Sequence, residues 1–133
     1  MKNIVLMVIL CVFAQANDIC QSEIAQNEIK MANENKKAFS NEIQTFLGAK
    51  CENGKIYYDY IYTPKYSINL EKIDENMKSQ RQVMMKNMLR AMYCDMPEFK
   101  EQRQANLILH YTYHTQNINK FYEVEISRKD CKN

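Results

Sequence analysis

Residues 106–131 read NLILHYTYHTQNINKFYEVEISRKDC. A β-strand sends alternate side chains to opposite faces. In a first arm, Leu107, Leu109, Tyr111 and Tyr113 therefore share one face, and Ile108, His110, Thr112 and His114 the other. In a second arm, Tyr122, Val124 and Ile126 lie opposite Phe121, Glu123 and Glu125. The polar run Gln116-Asn117-Ile118-Asn119 supplies the turn, because asparagine tolerates turn conformations. A tight turn there sets Tyr113 against Tyr122, Tyr111 against Val124 and Leu109 against Ile126. On the other face it sets His110 against Glu125 and Thr112 against Glu123. One face is then apolar and the other mostly polar. A slip of one residue would mix them, so the pattern predicts a β-hairpin in this register.

The chain before the hairpin supplies the rest of the architecture. Residues 69–93 carry Leu70, Ile73, Met77, Met84, Met88 and Met92 at helical spacing, with Asn69 as a cap. Asp95-Met96-Pro97-Glu98 has the signature of a fresh helix start, which should end near Gln104. Residues 55–63, KIYYDYIYT, form a strand of aromatic and β-branched residues closed by Pro64 and preceded by the turn signal Asn53-Gly54. Asp59 belongs in water, which places Tyr57 and Ile61 with it on an open face and Ile56, Tyr58, Tyr60 and Tyr62 inward. Residues 21–47 read as an amphipathic helix with Ala25, Ile29, Ala32, Phe39, Ile43 and Phe46 on one stripe, Ser22 at its start and Gly48 at its end. The order is α-β-α-α-β-β. It predicts an α+β domain in which two long helices and one short helix pack on one face of a three-stranded antiparallel sheet, strand order 1-3-2.

The start of the chain bears on the compartment. Lys2 precedes an apolar run over residues 4–13, and Ala14-Gln15-Ala16 fits a signal-peptidase site. The expectation is a cleaved signal peptide over residues 1–16 and a single domain over residues 17–133. Removing Lys2 from the 18 basic residues leaves 17 against 16 acidic. That balance offers no electrostatic footprint for nucleic acid or an anionic membrane. Gly48 and Gly54 are the only glycines, which excludes a Gly-rich phosphate loop.

Four cysteines would remain after processing: Cys20, Cys51, Cys94 and Cys131. An even number in an oxidising compartment points to disulfides, with three possible pairings. In the expected topology Cys94 follows the top of the second helix and Cys131 the top of the last strand, so Cys94–Cys131 is the preferred bridge. A straight helix over residues 21–47 would be about 40 Å long at 1.5 Å per residue. Cys20–Cys51 therefore requires a break near Asn33-Glu34-Asn35, and that second bridge stays open.

Residues 58–131 carry Tyr58-Asp59-Tyr60, a long helix ending at Cys94, Pro97, Tyr111-Thr112-Tyr113 and Asp130-Cys131. This pattern resembles that of small exported bacterial proteins of uncharacterised function. The resemblance implies export and a Cys94–Cys131 bridge, and it implies no activity.

Candidate chemistry is sparse. His110 and His114 lie four residues apart on one strand, about 13 Å at ~3.3 Å per residue, too far to share a metal easily. His110 opposite Glu125 reads as a cross-strand pair that can respond to pH. Met85, Met88, Met92 and Met96 offer thioethers for Cu(I), although Met84, Met88 and Met92 sit on the expected core stripe, where methionine fills gaps. No nucleophile motif is present, and Glu123 with Glu125 reads as a solvated face. What remains is the open sheet face, with Tyr57, Ile61, His110, His114, Phe121, Glu123 and Glu125, a mix of apolar and polar residues suited to contact. The sequence thus predicts a periplasmic or secreted, non-enzymatic protein-binding module without cofactor or metal. Its partner would be another envelope or secreted protein, as for an assembly accessory or an inhibitor. The alternatives are a small secreted enzyme, or a Cu(I)-binding protein using the Met85/Met88/Met92/Met96 cluster.

Overall fold

The computed structural model describes residues 19–132, so the signal segment expected over residues 1–16 lies outside the described residues. The elements in order are α1 (Glu23–Glu34), β1 (Gln44–Glu52), β2 (Lys55–Tyr62), α2 (Pro64–Leu70), α3 (Glu75–Asp95), a 3-10 turn (Pro97–Phe99), α4 (Lys100–Gln104), β3 (Ile108–His114), β4 (Tyr122–Ile126) and a final 3-10 turn (Arg128–Asp130). The strands form one four-stranded sheet in the order β1-β2-β3-β4.

The sheet is two hairpins joined by a parallel pair. β3 and β4 pair antiparallel, with Tyr113 opposite Tyr122, Tyr111 opposite Val124 and His110 opposite Glu125. β1 and β2 form the other hairpin, closing on Glu52 and Lys55. Asn53 and Gly54 have φ of 52° and 75°, the left-handed pair that a two-residue turn between twisted strands demands. β2 runs parallel to β3, from Lys55 beside Ile108 to Ile61 beside His114.

The expected three-stranded antiparallel sheet of order 1-3-2 is therefore corrected in two respects. The strand directions that reading implied stand, with residues 55–62 and 108–114 pointing the same way. Those two strands are neighbours, which a long helical crossover permits, and β4 lies at the edge. In addition, residues 44–52 are a strand, not the end of a helix. α1 stops at Glu34, with Asn35 as its C-cap. Gly48, at φ 153°, sits at a bulge in β1, and a Cβ there would lie 3.2 Å from Asn33 Oδ1.

The second long helix is also two pieces. Thr63 and Pro64 start α2, and Asp74 caps α3 by accepting the Met77 N–H at 2.8 Å. Asn69 lies inside α2 rather than at a cap. Asp95 belongs to the end of α3, not to the start of the short helix. Arg103 of α4 donates to the carbonyls of Tyr93 and Met96, closing the C-terminus of α3.

One face of the sheet is covered. Ile56, Tyr58, Tyr60 and Tyr62 of β2 point into the core with Leu109 of β3 and Val124 of β4. α3 leans on β4 through Leu89 and Tyr93. Two disulfides lie toward one end of the sheet, where Cys51, Ile56, Leu109 and Ile126 align across the strands, one bridge beyond each edge strand. Cys94–Cys131 joins the end of α3 to the chain after β4, with Cα atoms 5.4 Å apart. Cys20–Cys51 joins the start of α1 to β1 at 5.5 Å, which the break after Glu34 allows.

Side chains also guard the sheet edges. Asn33 accepts the Ala49 N–H at 2.8 Å and donates to the Ala49 carbonyl at 2.9 Å, as a neighbouring strand would. Lys36 donates to the Leu47 carbonyl, and Gln82 of α3 to the Glu123 carbonyl on β4. These contacts occupy backbone groups through which another strand would add.

Candidate functional site

The sheet presents two surfaces, and the sequence pointed to the uncovered one. Tyr57, Ile61, His110, His114, Glu123 and Glu125 do share that open face, each half-buried among its neighbours. Their polar groups are largely consumed by one another. His110 sits between two carboxylates, with Nδ1 3.0 Å from Glu125 Oε2 and Nε2 2.9 Å from Glu123 Oε2. Lys55 reaches the same Glu125 oxygen at 2.8 Å, and Lys120 reaches Glu123 at 3.4 Å. The His110 hydrogen bond holds the Glu123 carboxyl below its ordinary value of 4.5. For Glu125, the Lys55 hydrogen bond is the larger cause of the same shift. Tyr57 packs against the His110 ring at 4.8 Å, with Lys50 on its other side at 5.8 Å. His114 lies 3.7 Å from Asp59. Among the described residues no three His, Cys, Asp or Glu side chains form a group able to hold a metal ion.

Phe121 does not belong to this face. It is 4% exposed, meets Tyr62 edge-on at 6.4 Å and lies beneath Lys78 of α3 at 5.3 Å. The reason is local. The loop over residues 115–121 docks on α2 through Gln116 and Asn117, which bond Ser67 and Glu71. Phe121 is therefore the end of that docked loop, outside the alternation of β4. Without it, the aromatic strip expected on the open face reduces to Tyr57 beside a paired-charge lattice.

The covered side holds the more distinctive site. Because α3 leans on β4, it leaves part of the inner sheet face unroofed. The result is a hollow of about 210 Å³ floored by Tyr58, Tyr60, Tyr111 and Tyr113 and walled by Met85 and Met88 of α3. Through Gln44, Met85 and Met88 it continues into a second hollow of about 240 Å³, where Arg81 and Tyr122 stand. The floor is built by cross-strand stacking: Tyr58 on Tyr111 at 4.9 Å and Tyr60 on Tyr113 at 5.4 Å. Burial pushes the Tyr60 hydroxyl up to about 12 and raises those of Tyr58, Tyr111 and Tyr113 as well. The floor is thus aromatic and uncharged. At one end Glu28, 8% exposed, accepts from the Tyr58 hydroxyl at 2.6 Å and from Gln102 Nε2 at 3.0 Å.

The α3 rim of this groove is a row of exposed methionines. Met84 is 65% exposed, Met88 52% and Met92 36%. The expected core stripe of Met77, Met84, Met88 and Met92 is corrected accordingly. α3 is buried through Leu89 and Tyr93, a second i, i+4 pair that lies roughly 100° around the helix from the methionines. The bulky, stiffer pair took the core. The signal was present in the sequence, since residues 84–93 carry more apolar side chains than one helix face can bury.

The fold and site define a two-layer α+β protein, clamped by two disulfides, with a tyrosine-floored, methionine-rimmed groove. No family model matches the chain, and no curated protein matches it. Among solved structures, its fold is similar to that of a Pseudomonas aeruginosa protein described as a "putative secreted protein", with a TM-score of 0.67, 13% identity, and coverage of 89% of this chain and 96% of that one. At that identity the likeness is one of fold. Among the described residues, no helix is long and apolar enough to cross a membrane.

Proposed function

We propose that this is a small exported, non-enzymatic binding module that holds an apolar segment of another envelope or secreted protein in the groove between α3 and the sheet. The observation that carries the reading is the exposure of Met84, Met88 and Met92 along a hollow whose floor is aromatic. A solvated helix face ordinarily carries charge, and contiguous apolar exposure of this kind marks contact surfaces. Methionine suits such a rim because its unbranched thioether adapts to the shape of a partner. A helix laying its apolar face into the groove is the mode that fits, since Asn33, Lys36 and Gln82 occupy backbone groups at the sheet edges.

Export rests on separate grounds. Two disulfides suit an oxidising compartment. The apolar run over residues 4–13 and the A-x-A at Ala14-Gln15-Ala16 fit a secretory signal, and the structurally similar Pseudomonas aeruginosa protein is described as a "putative secreted protein". The test compares two tagged variants in pull-downs from the envelope fraction of the native host. Met84→Glu/Met88→Glu should lose the partners that the wild-type chain captures, while Tyr57→Ser should keep them. Both should fold, because the substituted side chains lie outside the core. The reverse outcome would return the binding site to the open face.

A further inference from the structure

We propose that the exposed methionines of α3 form a Cu(I) site, with Met88 as the ligand shared between Met84 and Met92. The inference concerns the groove's rim and is independent of any protein partner. Successive residues of an α-helix advance 100° and 1.5 Å, so positions four apart lie on one face about 6 Å apart along the axis. Methionine has three rotatable side-chain bonds, enough to bring neighbouring sulfurs onto one ion. Cu(I) is soft and prefers thioether or thiolate ligands.

Three features of the structure favour thioethers here. The first is access: Met84, Met88 and Met92 are 65%, 52% and 36% exposed, and none of them belongs to the core cluster or packs against it. That removes the objection raised by reading them as core. The second is the lack of competing thiols among the described residues, because Cys20, Cys51, Cys94 and Cys131 are all consumed in disulfides. The third is selectivity. No three His, Cys, Asp or Glu side chains among the described residues form a metal-holding group, so ions that need harder donors find no set. Arg81, which lines the hollow with Met84 and Met88, repels a dication more strongly than a monocation. Met85 faces the same hollows from the buried side and Met96 lies past the end of α3 in extended backbone, so the surface ligand set is Met84, Met88 and Met92 rather than the Met85/Met88/Met92/Met96 cluster.

The test uses the chain with both disulfides closed and Cu(I) alone. The protein competes anaerobically, under ascorbate, with a chromophoric Cu(I) chelator. The expected result is one equivalent bound with micromolar or tighter affinity. Met88→Leu keeps the apolar surface and removes the shared sulfur. Loss of an outer-shell partner alone weakens a metal site by about tenfold or more, so loss of a direct ligand should do at least that. Met31→Leu, an exposed methionine on α1, should change nothing. A second reading needs no variant: Ag(I), a stable surrogate, should shift the methyl resonances of Met84, Met88 and Met92 and spare that of Met31. Binding weaker than micromolar in the wild type, full affinity in Met88→Leu, or unshifted methyls would each overturn the proposal. Because leucine preserves apolar contact, Met88→Leu should still capture a protein partner, so failure of the metal site and failure of the docking reading are told apart.

Discussion

Phe121→Ala tests which face of the sheet is core. The ring is 4% exposed and makes an edge-on contact with Tyr62, a tilted contact at 5.3 Å with Tyr122 and a cation–π contact with Lys78. Truncating a buried phenylalanine costs about 3–5 kcal/mol through lost transfer energy and the cavity left behind. Phe121 lies at the end of the sheet, where the 115–121 loop can relax toward the gap, so the low end, about 3 kcal/mol, is expected. With a urea slope of about 1.5 kcal/mol/M, the unfolding midpoint should fall by roughly 2 M. Tyr57→Ala removes an aromatic residue of the open face. It loses its contacts with His110 and Lys50 and should cost less than about 1 kcal/mol, as cross-strand pairs do. Urea denaturation of the two variants, followed by circular dichroism, makes the comparison. Equal midpoint losses, or a larger loss for Tyr57→Ala, would refute the assignment of the covered face.

Two further outcomes follow from the fold. Replacing Cys94 and Cys131 together with serine should lower stability by about 2–4 kcal/mol, the usual range for a disulfide closing a loop of this kind, and denaturation under non-reducing conditions measures it. Glu123 and Glu125 are held below their ordinary value of 4.5, so they bind protons more weakly folded than unfolded. The stability they contribute is present above pH 4.5 and is lost as pH falls through their lowered folded values; it is small because the side chains are 42% and 40% exposed and solvent screens them. His110→Val should raise the titration of Glu123, whose main partner is that ring, and leave Glu125 depressed by Lys55. Carboxyl NMR titration separates the two.

The alternation in residues 106–131 was enough to specify the hairpin and its register, because a strand of period two with one apolar face has a single good pairing. The inward set of β2 was legible for the same reason. β1 was hidden by an accident of spacing. Phe39, Ile43 and Phe46 fit a helical stripe continued from Ile29 and Ala32, although Asn53-Gly54, a strong hairpin signal, asked for a strand on either side. The parallel β2–β3 pairing could not be read locally, since it depends on a crossover whose path is set by tertiary packing. The groove was missed because Leu89 and Tyr93 outcompete the methionines for burial, a contest that periodicity alone does not score. Phe121 was misplaced because the loop before it is docked on α2 and does not continue the strand.

Crosslinking in the native host reports whether the groove between α3 and the sheet holds a partner. A photoactivatable side chain is placed at position 88, on the groove rim, and separately at position 57, on the open face. A discrete adduct with another exported protein is expected from position 88, diminished by Met84→Glu in the same chain, and none from position 57. An adduct from position 57 with none from position 88 would contradict docking in the groove.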